Sequence, residues 1–475
     1  MASERGHWGS RMGFILAAAG SAVGLGNIWG FPYMTGQNGG GLFVLVYLAC
    51  VVGIGLPIMM AEIFIGRTTQ TSPVGAFRAL SRPGSPWMGV GWLGVVAAFI
   101  ILSFYSVIAG WSLHYVWLSI TSTFADQTPV EIASIFEQVR TDPALSSLWH
   151  VIFMAITIAI VIAGVQSGIE MWSRILMPAL FIILLILLVY AMVKGNFVEG
   201  LKFLFEPKLK TPETPDGFSW NSVPAAMGLA FFSLSLGMGA LITYGSYLKT
   251  DDDLVSTSIT VSVLDTSVAL LAGLILFPII FAVGQEPDQG PGLVFTTIPI
   301  AFAEIPGGLV LAPLFFLLLT FTALTSAISL LEVATAYFID ERGWTRTKAT
   351  LATGGAIMMI GIPSAISGGS RLFGAGVQKL TDPLYAGPGK NWFDVLVDLS
   401  FNLMLPIGGL GIAMFVAWRV DDAAREAGFS AGSKMGRLYW GWLSLLRYVV
   451  PVAIVMVLLN ALGVFEMLFG GGEAQ

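Results

Sequence analysis

Between Arg11 and Glu62 the chain carries no formal charge, and from Leu254 to Gln285 the only one is Asp265. A hydrocarbon layer roughly 30 Å thick is crossed by about 20 helical residues, so each run is long enough to span it. Lipid offers no partner to backbone N–H and C=O groups, which leaves a helix or a closed barrel. Barrel strands would be about half as long and alternate in polarity. The sequence therefore predicts an all-α membrane protein, and a composition 56% hydrophobic and 11% charged is far too apolar for a water-soluble chain of 475 residues.

Other classes are excluded on simple grounds. A net charge of −6 with no Lys- and Arg-rich tract argues against a nucleic-acid partner. One cysteine, Cys50, rules out a disulfide framework or a Cys-based metal cluster within the chain. The three histidines, His7, His114 and His150, are scattered and show no nucleophile–base pair, so an enzyme is not expected. Arg5 to Ala19 imitates a signal peptide, but the apolar pattern runs straight through the would-be cleavage site.

Apolar runs set against charged or Pro/Gly-rich breaks give about eleven spans: 11–35, 41–65, 88–119, 148–165, 171–193, 221–247, 254–284, 308–339, 346–367, 393–419 and 436–465. We read 1–475 as a single transmembrane domain. With the N-terminus cytoplasmic, Arg67, Arg78, Arg82, Arg342, Arg346, Lys348, Arg419 and Arg425 fall inside, the expected bias, while Lys202, Lys208 and Lys210 fall outside among glutamates. An odd number of spans puts the C-terminus outside.

Two spans differ from the rest. The first carries Gly20-Ser21-Ala22-Val23-Gly24-Leu25-Gly26-Asn27 at its middle and the sixth carries Ser233-Leu234-Ser235-Leu236-Gly237-Met238-Gly239. Each glycine costs a helix about 1 kcal/mol relative to alanine, so unwinding is expected there. The breaks lie five spans apart. An odd offset gives the two halves, about 11–193 and 221–419, opposite orientations, the mark of an inverted repeat with a binding site between broken helices; the last span, about 436–465, is extra. Glycines alone could equally serve close helix packing. Ser21, Asn27, Ser233 and Ser235 favour a site, because in lipid they need a neighbour, water or an ion.

These residues resemble the neurotransmitter:sodium symporter family, particularly its bacterial amino-acid transporters. The resemblance is carried by Ala22 to Trp29 with Phe31-Pro32-Tyr33, by Asn38 to Gly41, by Phe232 to Gly239 and by Leu324-Thr325-Ser326. It implies sodium-coupled symport of neutral hydrophobic L-amino acids by alternating access. One sodium site would take Ala22, Asn27, Ser233 and Asp265, with the substrate carboxylate as a further ligand. The other would take Gly20, Val23, Thr322, Thr325 and Ser326. The substrate would lie against Ser21, Ala22, Leu25, Gly26, Ile101, Tyr105, Phe232, Ser233, Ser235, Met238, Ser326, Ser329 and Leu330. Gly24 stands where monoamine-carrying members have an aspartate, leaving room for a carboxylate.

The same resemblance places an inner ion-pair gate at Arg5 and Asp340, surrounded by Trp8, Ser246 and Tyr247. The outer pair is missing, since Gly30 and Val397 occupy its positions and Asp394 and Asp398 lie out of register. Asp265 stands where chloride-dependent relatives have asparagine, and Ala269 where they have a chloride-binding serine, so two Na+ ions and no chloride are expected. The expected partners are an amino acid and the bilayer, here a bacterial inner membrane; oligomeric state is left open. Two alternatives share the fold: a proton-coupled transporter using Glu62, Asp265 and Glu332, and a non-transporting amino-acid sensor.

Overall fold

The computed structural model describes residues 6–211, 217–285, 292–381 and 389–464. Among these, nine helices are long and apolar enough to cross a membrane, and a tenth span is the pair Arg11–Ala22 and Gly26–Gln37, bent by 50°. The sixth predicted span is broken into Val223–Ser233 and Ala240–Gly245, each too short to cross alone. The remaining predicted spans appear at Gly41–Thr69, Met88–Ile120, Pro143–Ile162, Val165–Lys194, Leu254–Ala282, Gly308–Arg342, Arg346–Ile366, Trp392–Trp418 and Gly436–Ala461. The all-α expectation thus holds, and so do both expected breaks.

Shorter helices cap the bundle between spans. Pro73–Ala79 follows span two, Pro129–Thr141 precedes span four, Phe197–Phe205 follows span five and Asp422–Ser430 follows span ten. The long spans three and eight make the most extensive contact among the described residues, and span eight also packs along span one. Both are buried along most of their length, as befits helices at the centre of a membrane bundle.

The break in span six has a clear backbone cause. Ser235, Gly237 and Gly239 have φ of 54°, 80° and 74°, the left-handed region that a helix cannot contain. The freed groups find partners inside the protein. Gly237 donates its N–H to Glu62 Oε1 at 2.7 Å, and Ser235 Oγ donates to the Ser21 carbonyl at 2.8 Å, joining the two broken spans. In span one the bend is capped from its own sequence, with Asn27 Oδ1 accepting the Gly24 N–H at 2.9 Å.

Candidate functional site

The two breaks face each other across a small cavity of ≈ 20 Å³. Its wall is Ala22, Gly24 and Gly26 from span one, Ile101 and Tyr105 from span three, Phe232, Ser235 and Met238 from span six, and Ser326 and Leu330 from span eight. Nine of these are expected substrate-site residues. The other expected residues lie just behind the wall. Ser21 Oγ donates to Ser329 Oγ at 2.7 Å, Leu25 donates its N–H to Tyr105 Oη at 3.3 Å, and Ser233 turns towards span seven.

The cavity is polar at one end and apolar at the other. Tyr105 and the unwound backbone at Gly24–Gly26 form the polar end, while Ile101, Phe232, Met238 and Leu330 form the apolar one. Gly24 is there because little else fits: a Cβ would stand 2.8 Å from Ser326 Oγ and 3.2 Å from Tyr105 Oη. At Gly26 a Cβ would meet the Phe232 ring at 2.8 Å, so that ring lies directly over the break. Phe401 of span ten packs edge-on to Phe232, with centroids 4.4 Å apart, and completes an aromatic roof that sequence reasoning did not anticipate.

Two oxygen-rich clusters flank the cavity. In one, Asn27 Nδ2 donates to Ser233 Oγ at 3.1 Å and to Asp265 Oδ1 at 2.8 Å, and Ser233 Oγ donates to Asp265 Oδ2 at 2.6 Å. Tyr47 Oη lies 3.1 Å from Ser233 Oγ. All four side chains are buried. In the other, Ser326 Oγ lies within 3.3 Å of the carbonyls of Ser21, Val23 and Thr322, and Thr325 Oγ1 is 3.0 Å from the Thr322 carbonyl. Gly20 sits against Thr325, where a Cβ would be 3.2 Å from its Cβ. Every residue expected in each sodium site is therefore in or next to its cluster, apart from Ala22, which lines the cavity between them. Convergent hard oxygens of this kind suit a hard cation.

On the N-terminal side of the membrane Trp8 is buried against the Tyr244 and Tyr247 rings at the end of span six. Its indole donates to the Tyr244 carbonyl at 3.0 Å and its own N–H to the Tyr247 carbonyl at 3.2 Å. Arg5 lies outside the described residues. Its expected partner Asp340 accepts the Ser72 N–H at 2.6 Å, at the start of the short helix Pro73–Ala79. Ser246 turns its hydroxyl onto the Thr243 carbonyl, whereas Tyr247 donates to Glu332 Oε1 at 2.6 Å. Glu332 is fully buried and paired with Arg346 at 2.5 Å.

On the opposite side a vestibule of ≈ 360 Å³ lies above the roof, lined by Trp29, Trp111, Phe136, Arg140, Phe393 and Asp394 among others. The two acids near the expected outer-gate position have local partners. Asp394 closes a capping box with Asn391, and Asp398 is paired with Lys390.

The sequence did not reveal the partners of Glu62 and Glu332. A carboxylate inside an apolar helix is itself a signal for a partner, but Gly237 is 175 residues from Glu62, and no local pattern points to it.

The comparisons agree with this geometry. A family model described as the Sodium:neurotransmitter symporter family matches residues 5–137 and 134–375. An uncharacterized sodium-dependent transporter, YhdH of Bacillus subtilis (strain 168), is 35% identical over 462 residues, covering 97% of this chain and 98% of its own. A second such transporter, from Haemophilus influenzae, is 31% identical over 471 residues, covering 97% of this chain and 98% of its own. The crystal structure of MhsT in complex with L-phenylalanine superposes with a TM-score of 0.84 at 43% identity, covering 96% of this chain and 100% of that one. The chain is a multi-pass membrane transporter and not an enzyme, and it belongs to the sodium:neurotransmitter symporter family.

Proposed function

We propose that this protein is a symporter that carries neutral, hydrophobic L-amino acids with two Na+ ions and without chloride. The carrying observation is the cavity, polar at the unwound backbone of span one and apolar along Ile101, Phe232, Met238 and Leu330. The L-phenylalanine held by MhsT supports the same substrate class. A substrate carboxylate suits the N–H groups at Leu25 and Gly26 and the positive end of the half-helix that begins there. Met238 adds a flexible thioether that adapts to more than one side chain.

The ions would sit in the two oxygen clusters, the first formed by Ala22, Asn27, Ser233 and Asp265 and the second by Gly20, Val23, Thr322, Thr325 and Ser326. Coordination in the first asks Asn27 to turn Oδ1 towards the ion and away from the Gly24 N–H that it accepts in this structure. The substrate carboxylate completes that site, so the amino acid and the ion each raise the other's affinity. The N-terminus would face the cytoplasm of a bacterial cell.

The deciding experiment is uptake into proteoliposomes of a panel of labelled amino acids under sodium, potassium or proton gradients. Sodium-driven uptake of leucine-like and aromatic substrates is expected; stronger uptake of monoamines or glutamate would refute the proposal. A hydrogen bond to a charged group contributes about 1.5–3 kcal/mol, so Tyr105→Phe is expected to weaken equilibrium binding of labelled leucine by that amount. Unchanged affinity would remove Tyr105 from the carboxylate site.

Asp265 bears on chloride. Its carboxylate lies in the first cluster beside Tyr47 and Ser233, where a fixed negative charge offsets that of a bound cation. Replacing chloride by gluconate is expected to leave uptake unchanged, and Asp265→Asn is expected to raise the sodium concentration for half-maximal uptake at neutral pH. A chloride requirement in the unaltered protein would contradict this role.

A further inference from the structure

We infer that Glu170 and Arg174, at the start of span five, form a latch that holds the N-terminal arm of span one against the bundle. The pair thereby positions the carbonyls of the oxygen cluster at Gly20–Val23. The arm is Arg11–Ala22, separated by its 50° bend from the rest of the span. Ser10 caps it, with Oγ accepting the Gly13 N–H at 2.9 Å.

The latch reaches this capped end from another span. Glu170 Oε2 accepts the Gly9 N–H at 2.7 Å, and Oε1 accepts from Ser10 Oγ at 3.4 Å. Arg174 Nη2 donates both to Glu170 Oε1 and to Ser10 Oγ, each at 2.6 Å. Gln166 Nε2 adds a bond to the His7 carbonyl at 2.8 Å. The Glu170 side chain is only 4% exposed, in a notch that depends on Gly13: a Cβ there would stand 2.0 Å from Oε1. A buried carboxylate placed at the N-terminus of a helix is favoured by the helix dipole and by free N–H groups.

The position gives this contact leverage. Some 12 helical residues separate Ser10 from the bend, a lever of about 18 Å at 1.5 Å per residue. Trp8 holds the arm's end on the span-six flank, and Glu170 holds it on the span-five flank. Span five itself begins in the wider turn Val165–Glu170 after Gly164 at φ 104°, so the latch is mounted on backbone that departs from the α-helix. If the arm swings at its bend, these bonds part together, and the cluster loses its Gly20 and Val23 side.

The test uses the purified, sodium-bound full chain and hydrogen–deuterium exchange. Glu170→Gln is expected to speed exchange in peptides covering 7–14 and 164–171 by about tenfold, the scale of one lost charged hydrogen bond. Peptides from spans three and eight are expected to stay unchanged. The sodium concentration for half-maximal uptake is expected to rise several-fold, while the maximal rate and the thermal midpoint change little. Exchange that is unaltered in the two segments, or raised uniformly along the chain, would overturn the latch. Should Glu170→Gln fail to fold, Ser10→Ala and Arg174→Ala remove only the outer half of the network; the same local increase is expected, and its absence would be equally fatal. The inference needs the sodium dependence of the family and not the choice of substrate. Exchange measured in sodium alone therefore separates its failure from that of the uptake panel.

Discussion

Arg346→Ala is expected to destabilise the protein by about 3–5 kcal/mol, the cost of leaving one member of a buried ion pair without the other. Glu332 is fully buried, and its carboxylate holds Arg346 at 2.5 Å and the Tyr247 hydroxyl at 2.6 Å. Arg346 also donates from Nε to the Val161 carbonyl at 2.8 Å, so the pair ties spans four, eight and nine to the end of span six at Tyr247. Removing the guanidinium leaves the charge of the fully buried Glu332 with the Tyr247 hydroxyl and without its cation. The double variant Arg346→Ala with Glu332→Gln removes that charge and is expected to recover much of the loss. Thermal unfolding in detergent, followed for the single and double variants, checks this. A double variant no better than Arg346→Ala alone would show that the cost is lost packing and not a stranded charge.

Gly237→Ala is expected to abolish most transport while the chain still inserts. A left-handed backbone costs a residue with a Cβ about 1–2 kcal/mol. The larger effect is steric, because a Cβ at Gly237 would stand 2.4 Å from the Leu405 carbonyl of span ten, which is backbone and cannot rotate away. Relief would move the break in span six, the Gly237 N–H bond to Glu62 and the adjoining Met238 on the cavity wall. Gly239→Ala makes a graded comparison: φ is similar at 74°, but the nearest atom is Pro73 Cγ at 3.0 Å, a ring carbon with some freedom. Gly284→Ala has φ 66° and nothing within 4 Å, so it carries the conformational cost alone. Uptake should fall most for Gly237, less for Gly239 and least for Gly284. Equal losses at all three positions would refute the steric account.

Much of the architecture was legible because lipid permits so few answers. Each predicted span has a helix or broken helix in the structure, and the errors lie at the ends. Span four begins at Pro143 and not near 148, where Asp142 caps it through the Ala144 and Leu145 N–H groups. Span five begins at Val165, six residues before the predicted 171, because a wide turn continues the helix through a stretch whose glycines read as a break. The two unwound centres were legible for the opposite reason. Gly, Ser and Asn in the middle of an apolar run oppose both helix propensity and the need to satisfy polar groups, and only a site or a tight contact reconciles them.

The candidate site divides along the same line. The resemblance to a known family named Gly20, Asn27, Ser233, Thr325 and Ser326 as candidates, and the structure brings them into or beside the two oxygen clusters. Nothing in the order of residues indicated that Phe401 would cover Phe232, that Glu62 would bind the break in span six, or that Glu170 would reach the arm of span one from 161 residues away. Hydrophobicity, charge and backbone freedom belong to each residue and act over a turn or two of helix, so the sequence by itself determined which segments enter the membrane and where two of them come apart. A buried carboxylate or ring needs a partner, but its choice depends on which spans lie side by side, and only the tertiary structure decided that.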